Sequence, residues 1–217
     1  MEQVEKRSTI KFNLRFFIWC IGLPVLFFLL TFLLAALFST HRSDNGSNGQ
    51  ALAEFLRYYR ENSFREFFKI FLNNSFVAFV MIYFTPFALF IRKVWENRKD
   101  YDFTLSTREI ILLYSFPAVF LTRDAIRIAL IVSDLSGKIH KDMIFTFLSI
   151  IFPHGFPELV ALGMAGAVGM EVTRRHVTKQ GEKTPELKVL LFLLFCFGAA
   201  AYLEVRFTPL VFALLMR

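Results

Sequence analysis

The chain has 217 residues, 55% of them hydrophobic, with 29 phenylalanines and a mean hydropathy of +0.49. Soluble domains run nearer about 45–50% apolar and rarely hold long uncharged runs, so these numbers exclude an ordinary soluble domain. The formal net charge of +7 sits in stretches between apolar runs. That placement argues against nucleic acid as a partner, because Lys and Arg gather in cytoplasmic loops of membrane proteins for their own reasons.

Lys6, Arg7, Lys11 and Arg15 precede a first span at about 16–38. Those 23 residues carry no charge, enough for about 34 Å of helix against a hydrocarbon core of about 30 Å. The run exceeds the apolar region of a signal peptide, and no small-x-small cleavage site follows, so it is expected to be retained. Pro24 is tolerable there with a kink. Residues 39–50 form a polar loop. In residues 51–72, Leu52, Phe55, Leu56, Tyr59, Phe64, Phe67, Phe68 and Phe71 recur at helical spacing between charged residues. This predicts an amphipathic segment lying in the membrane interface or packed on the rim of the bundle. Ser63 and Glu66 have capping-box spacing, which predicts a break near Asn62.

A second span, about 75–92, opens on the polar step Asn73-Asn74-Ser75 and holds Pro86; a basic loop follows. The third, about 110–132, contains Arg123, Asp124 and Arg127, which must pair, snorkel or line a cavity. After a linker, residues 143–172 make a fourth span broken at 153–157 by Pro153, Gly155 and Pro157. The fifth, about 187–216, carries Glu204 and Arg206 past its middle. The fold class is therefore all-α: one membrane domain over 1–217 with about five spans. The N-terminus and the 92–109 and 173–188 loops hold 14 Lys and Arg, against 8 in the 39–74 stretch, the 133–142 linker and the C-terminus. A cell-membrane protein with its N-terminus cytoplasmic and its C-terminus outside is expected.

His154 and Glu158 are four residues apart, on one face of a helix start whose free N–H groups favour an anion. Behind them Ala161, Gly163, Ala165, Gly166, Ala167 and Gly169 make a small-residue helix suited to close packing. Its expected partner is the patch Gly198 to Ala201 of the last span, which would bring Glu204 to the broken region. Three readings stand for His154, Glu158 and Glu204: ligands to zinc or iron, a buried hydrogen-bonded network, or a proton or ion relay. Asp124 joins them as a fourth candidate ligand, chosen from the polar residues of its span. Cys20 and Cys196 sit in apolar runs and read as small hydrophobes. No HExxH, Gly-x-Ser-x-Gly or phosphate-binding glycine loop occurs, so no catalytic residue is assigned.

The run Phe152-Pro-His-Gly-Phe-Pro-Glu-Leu159 resembles the Pro-His-Gly-x-x-Glu signature of the SpoIIM-like integral membrane proteins. The small-residue helix after it, the Ala-rich segment 199–209 with Glu204 and Thr-Pro, and Asn73-Asn74 are similar to elements of that family. The resemblance spans about 73–217 and matches His154, Glu158 and Glu204 to motif positions; Asp124 lies outside the motif. It implies a polytopic membrane protein contacting lipid, a scaffold or assembly factor of the cell envelope working beside peptidoglycan-remodelling proteins. It also implies metal at the His/Glu cluster and a homodimer. An intramembrane metal-dependent hydrolase and an ion or small-solute transporter are the alternatives.

Overall fold

A computed structural model describes residues 13–38, 48–96, 105–139, 144, 147, 152–179 and 184–215. Five helices run through them: α1 (Leu14–Phe38), α2 (Asn48–Trp95), α3 (Thr107–Ile139), α4 (Phe152–Thr178) and α5 (Leu187–Leu215). Windows long and apolar enough to cross a membrane occur at Leu14–Ala35, Glu61–Trp95, Gly155–Thr178 and Leu187–Val211. At 33 residues α3 has the length too, but Arg123, Asp124 and Arg127 interrupt its apolar run. Large apolar side chains stay exposed along the bundle, among them Trp19, Leu26, Phe76, Phe87, Phe195 and Leu210. That surface is what a lipid solvent stabilises and water does not. The chain is an all-helical, multi-pass membrane protein. Lys6, Arg7, Lys11, the 39–47 loop, Arg98, Lys99, the 140–142 linker and Arg217 lie outside the described residues.

The 48 residues of α2 reach about 72 Å, more than twice the hydrocarbon thickness. The break expected near Asn62 does not occur. No glycine or proline lies between Ala51 and Thr85, and bonds one turn apart carry the helix through. Asn62 Nδ2 donates to the Tyr58 carbonyl at 3.0 Å, and Arg57 pairs with Glu61 at 3.8 Å. The amphipathic segment is thus an extension of the second span. Phe64 and Phe68 are exposed on it, while Glu66 is buried and accepts from Tyr58 OH at 2.7 Å and Lys69 Nζ at 3.4 Å.

The centre of the bundle is α4, which packs against each of the other four helices. Its apolar face buries Ala161, Leu162, Ala165, Val168 and Val172 with Cys20 of α1, Met81 and Ile82 of α2, Leu121 of α3 and Phe197 of α5. Gly169 faces Met81 and Thr173 faces Thr85, so α2 and α4 run parallel. Gly163 meets Ile21 and Gly166 meets Cys20, while Gly198 faces Phe71. The small-residue face of α4 therefore packs on α1, α2 and Pro117 of α3; α4 and α5 pack together as expected, although Gly198 itself meets Phe71 of α2. The glycines admit whichever neighbour approaches closest, and only at Gly169 is that neighbour bare backbone. Between α2 and α3 the Phe84 and Phe116 rings stack at 3.6 Å.

The break expected at 153–157 does not occur: α4 runs unbroken from Phe152 through Pro153, Gly155 and Pro157, all near its start, where few backbone bonds are lost; residues 143, 145, 146 and 148–151 lie outside the described ones. Ile144 is exposed, and the Phe147 ring sits 4.9 Å from Phe28 and 6.2 Å from Phe32 of α1.

The N-terminus of α3 is held by a capping box that the sequence reading missed. Glu109 Oε2 accepts from Ser106 N at 2.7 Å and from Ser106 Oγ at 2.8 Å, and Glu109 Oε1 accepts from Arg92 at 2.7 Å. These bonds, those from Ser106 foremost, hold the Glu109 carboxyl below its ordinary value of 4.5. Its contribution to stability is then complete above that ordinary value and disappears as pH falls through the lowered one. Hydrogen-exchange protection in the first turn of α3 is expected to be full at neutral pH and to drop on acidification below the ordinary value. Ser106→Ala should remove about 0.5–2 kcal/mol at neutral pH, and unchanged protection in that variant would contradict the assignment.

Candidate functional site

Two polar clusters lie at opposite ends of α4. The first surrounds Glu158, one turn past the helix start. A proline at 157 removes an N–H that would otherwise bond to the carbonyl of Pro153. Pro157 is the sixth residue of a helix beginning at Phe152, in its second turn. Glu158 is half-buried beside Asn74 of α2, and within electrostatic reach of Glu204 on α5 and Asp124 on α3. Glu204 in turn lies within reach of Glu66. Three helices besides α4 thus deliver polar groups to its N-terminal end.

Asn74 is 3% exposed. Its Oδ1 accepts from Asn73 Nδ2 at 3.4 Å, but its Nδ2 has no hydrogen-bond partner, and Ser75 Oγ beside it is likewise buried without one. The Asn74 amide faces the Glu158 carboxylate, the acceptor nearest in kind to it. Asp124 sits between exposed Arg123 and Arg127 on α3, near enough to feel both. Arg206, one turn from Tyr202 on α5, stands 5.9 Å over that ring.

Of the four residues singled out from the sequence, Glu158, Glu204 and Asp124 come into one electrostatic neighbourhood. His154 lies on the first turn of α4, with its side chain outside the described residues. Among the described residues no three His, Cys, Asp or Glu side chains converge closely enough to hold a metal ion. A zinc or iron centre needs about three or four direct protein ligands, and the described residues do not supply that set. Two participants escaped the sequence reading. Asn74 was visible only as part of a polar step, and Glu66 as one charge in an amphipathic segment. Burial of Glu66 follows from α2 continuing unbroken, which the local spacing misrepresented.

The second cluster lies at the C-terminal end of α4. Glu171 is 4% exposed, and its carboxylate accepts from Arg174 at 2.7 and 2.9 Å and from buried Arg175 at 3.0 Å. Thr173 Oγ1 donates to the Gly169 carbonyl at 3.0 Å, which leaves Thr85 as the donor in the 2.6 Å bond joining the two hydroxyls. The helix ends at Thr178, and Lys179 turns the chain with a φ of 55°.

These features define a polytopic helical membrane protein with a half-buried acidic and amide site at one end and a closed ion-pair cluster at the other. A model of the stage II sporulation protein M family matches residues 24–209, and the chain belongs to the SpoIIM family. No curated protein and no solved structure matches it.

Proposed function

We propose that this protein is a scaffold or assembly factor of the cell envelope, built around the polar site at Asn74, Glu158 and Glu204. The observation that carries this is the close contact between α4 and α2. Gly169 lies against the backbone of Met81, and the Thr85–Thr173 bond locks the next turn. A transporter has to move one helical unit against another around its site. Helices in backbone contact are a poor place for such sliding and a good one for holding a fixed surface. Family membership supports the same reading. The Lys and Arg asymmetry supports a cytoplasmic N-terminus, which puts the Glu158 end and the α2 extension on the outer side of the cell membrane. There the extension would meet peptidoglycan-remodelling or other envelope proteins, in a monomer or homodimer.

A zinc or iron ion held by His154, Glu158, Glu204 and Asp124 belongs to this proposal as a structural element. What supports it is the arrival of three carboxylates from three helices at one end of α4.

The test is purification from native membranes under mild detergent, with elemental analysis of the product. A stoichiometric envelope partner, identified as a peptidoglycan-remodelling protein and lost at least about tenfold in Glu158→Gln, is the expected result. Solute uptake by the chain alone in proteoliposomes, or peptidoglycan hydrolysis by the chain alone, would replace the scaffold with the transporter or the hydrolase.

A further inference from the structure

Arg123 and Arg127 of α3 have three possible fates inside a membrane: pairing, facing a cavity, or snorkelling to a surface. Pairing does not occur, since neither guanidinium has an ion pair or hydrogen bond among the described residues. Asp124 beside them is half-buried and within electrostatic reach of both, but it also lies in the field of Glu158 and bonds to neither arginine. A cavity inside the bundle does not hold them either. Both arginines are exposed, on the same stripe of α3 as exposed Leu112, Val119 and Leu130, the face that this span turns outward.

Depth removes the third fate. Two contacts set α1 and α3 side by side and parallel. The Phe16 and Tyr114 rings meet at 6.0 Å, and Gly166 of α4 has both Cys20 and Pro117 as neighbours. The same offset along the two helices carries Arg123 to the level of Val25 or Leu26, and Arg127 to that of Leu29 or Leu30. The uncharged run 16–38 of α1 is centred on Phe27. Both arginines therefore leave α3 near the middle of the hydrocarbon core, about 12 Å or more from either end of that run. Arginines snorkel from helix ends, not from mid-span.

We infer that this face of α3 docks a transmembrane helix of a partner protein, one that carries a carboxylate near the middle of its span. Charge complementarity selects that occupant. Two cations one turn apart in hydrocarbon call for an anion at their own depth, and lipid phosphates lie at the surfaces, about 15 Å from the centre of a core about 30 Å thick. A second copy packed face to face would set four guanidiniums against one another. A carboxylate on a foreign helix accepts forked N–H donation from both arginines, while exposed Val119 and Leu130 pack on the apolar residues to either side of it. The inference rests on the scaffold reading above and gives the scaffold's partner a place to dock.

The experiment reconstitutes the labelled full-length chain in phosphatidylcholine vesicles with synthetic poly-leucine transmembrane peptides and reads association by energy transfer. The peptides carry Asp, Leu or Lys at the central position, or Asp one turn from an end. The central-Asp peptide is expected to bind about tenfold more tightly than the central-Leu peptide. The Lys peptide and the end-Asp peptide should gain nothing over Leu. Arg123→Leu combined with Arg127→Leu should bring the central-Asp peptide down to the Leu level, whereas Arg123→Lys combined with Arg127→Lys should keep part of the preference. If the Leu variant fails to fold, the wild-type peptide series decides alone. Equal binding of the Asp and Leu peptides, or of the central and end positions of Asp, overturns the inference. So does arginine-dependent retention of phosphatidylglycerol in native mass spectrometry, which assigns the face to lipid phosphate. Arginine-dependent energy transfer between two copies of the chain overturns it too, in favour of self-association. Absent Asp selectivity with the envelope partner still captured sinks only this inference; Asp selectivity with no envelope partner captured sinks only the scaffold reading.

Discussion

Placing a methyl group on Gly169 is expected to push α4 off α2 and to lower the unfolding free energy in detergent by about 1–3 kcal/mol for alanine, and by more for valine. The added Cβ would collide with the Met81 carbonyl oxygen and lie 3.0 Å from the Met81 carbonyl carbon and 3.3 Å from Ile82 Cα. All three are backbone atoms of α2, so no rotamer change relieves the overlap and one helix has to shift. That shift stretches the 2.6 Å Thr85–Thr173 bond one turn along. Gly163 is the internal control. Its added Cβ would meet Ile21 Cγ1 and Cδ1 at 2.6 and 2.8 Å and the Phe17 ring at 3.4 Å, all side-chain atoms that can rotate away. Alanine also favours helix by up to about 1 kcal/mol over glycine, which offsets much of that local crowding. Gly163→Ala should therefore unfold within about 1 kcal/mol of the wild type. Equal losses at the two glycines, measured by SDS titration, would mean that α2 and α4 are not in backbone contact.

The class of the protein was legible because it follows from quantities that do not depend on tertiary contacts. A run of 23 uncharged residues has one stable environment, whereas Pro153, Gly155 and Pro157, read as a break, lie inside the continuous α4. The failures came where the same local pattern has two tertiary meanings. Ser63 and Glu66 have the spacing of a capping box, and so do Ser106 and Glu109; only the second pair caps a helix. What separates them lies upstream. A helical run leads into Ser63, whereas a polar stretch with Asn97, Asp100 and Asp102 leads into Ser106. Helix-packing partners were beyond reach for a similar reason. A glycine states that something approaches closely without saying what: the last span does pack on α4, but Gly198 within its small-residue patch meets Phe71 of α2. Within the site, Glu158 and Glu204 stood out because charge in an apolar run is conspicuous. Asn74 did not, since an amide at the edge of a span is ordinary until its burial is known, and Glu66 looked like one more charge on a polar face.

Glu171→Ala should be among the most damaging single substitutions in this chain, costing about 3–5 kcal/mol of stability. The carboxylate holds two guanidinium groups of unequal freedom. The Arg174 side chain is 39% exposed and can turn to solvent or headgroups when its partner is removed. The Arg175 side chain is 6% exposed and loses its 3.0 Å carboxylate bond in place. The cost arises chiefly from that remaining buried charge, because the ion pair itself gains little over a well-packed apolar pair. Consequently a second substitution should restore much of what the first removes. Glu171→Leu combined with Arg175→Leu is expected to unfold well above Glu171→Leu alone, while Glu171→Leu combined with Arg174→Leu is not. SDS or thermal unfolding of these proteins together with Arg175→Leu, Arg174→Leu and the wild type closes both cycles. Single and double variants that simply add, or a Glu171→Ala protein within about 1 kcal/mol of the wild type, would show that Arg175 is compensated by its other contacts and that Glu171 is not what anchors it. The site at the other end of α4 provides the complementary comparison: removing charge there, in Glu158→Gln, takes no ion-pair partner from any cation among the described residues, so its effect should fall on binding and not on stability.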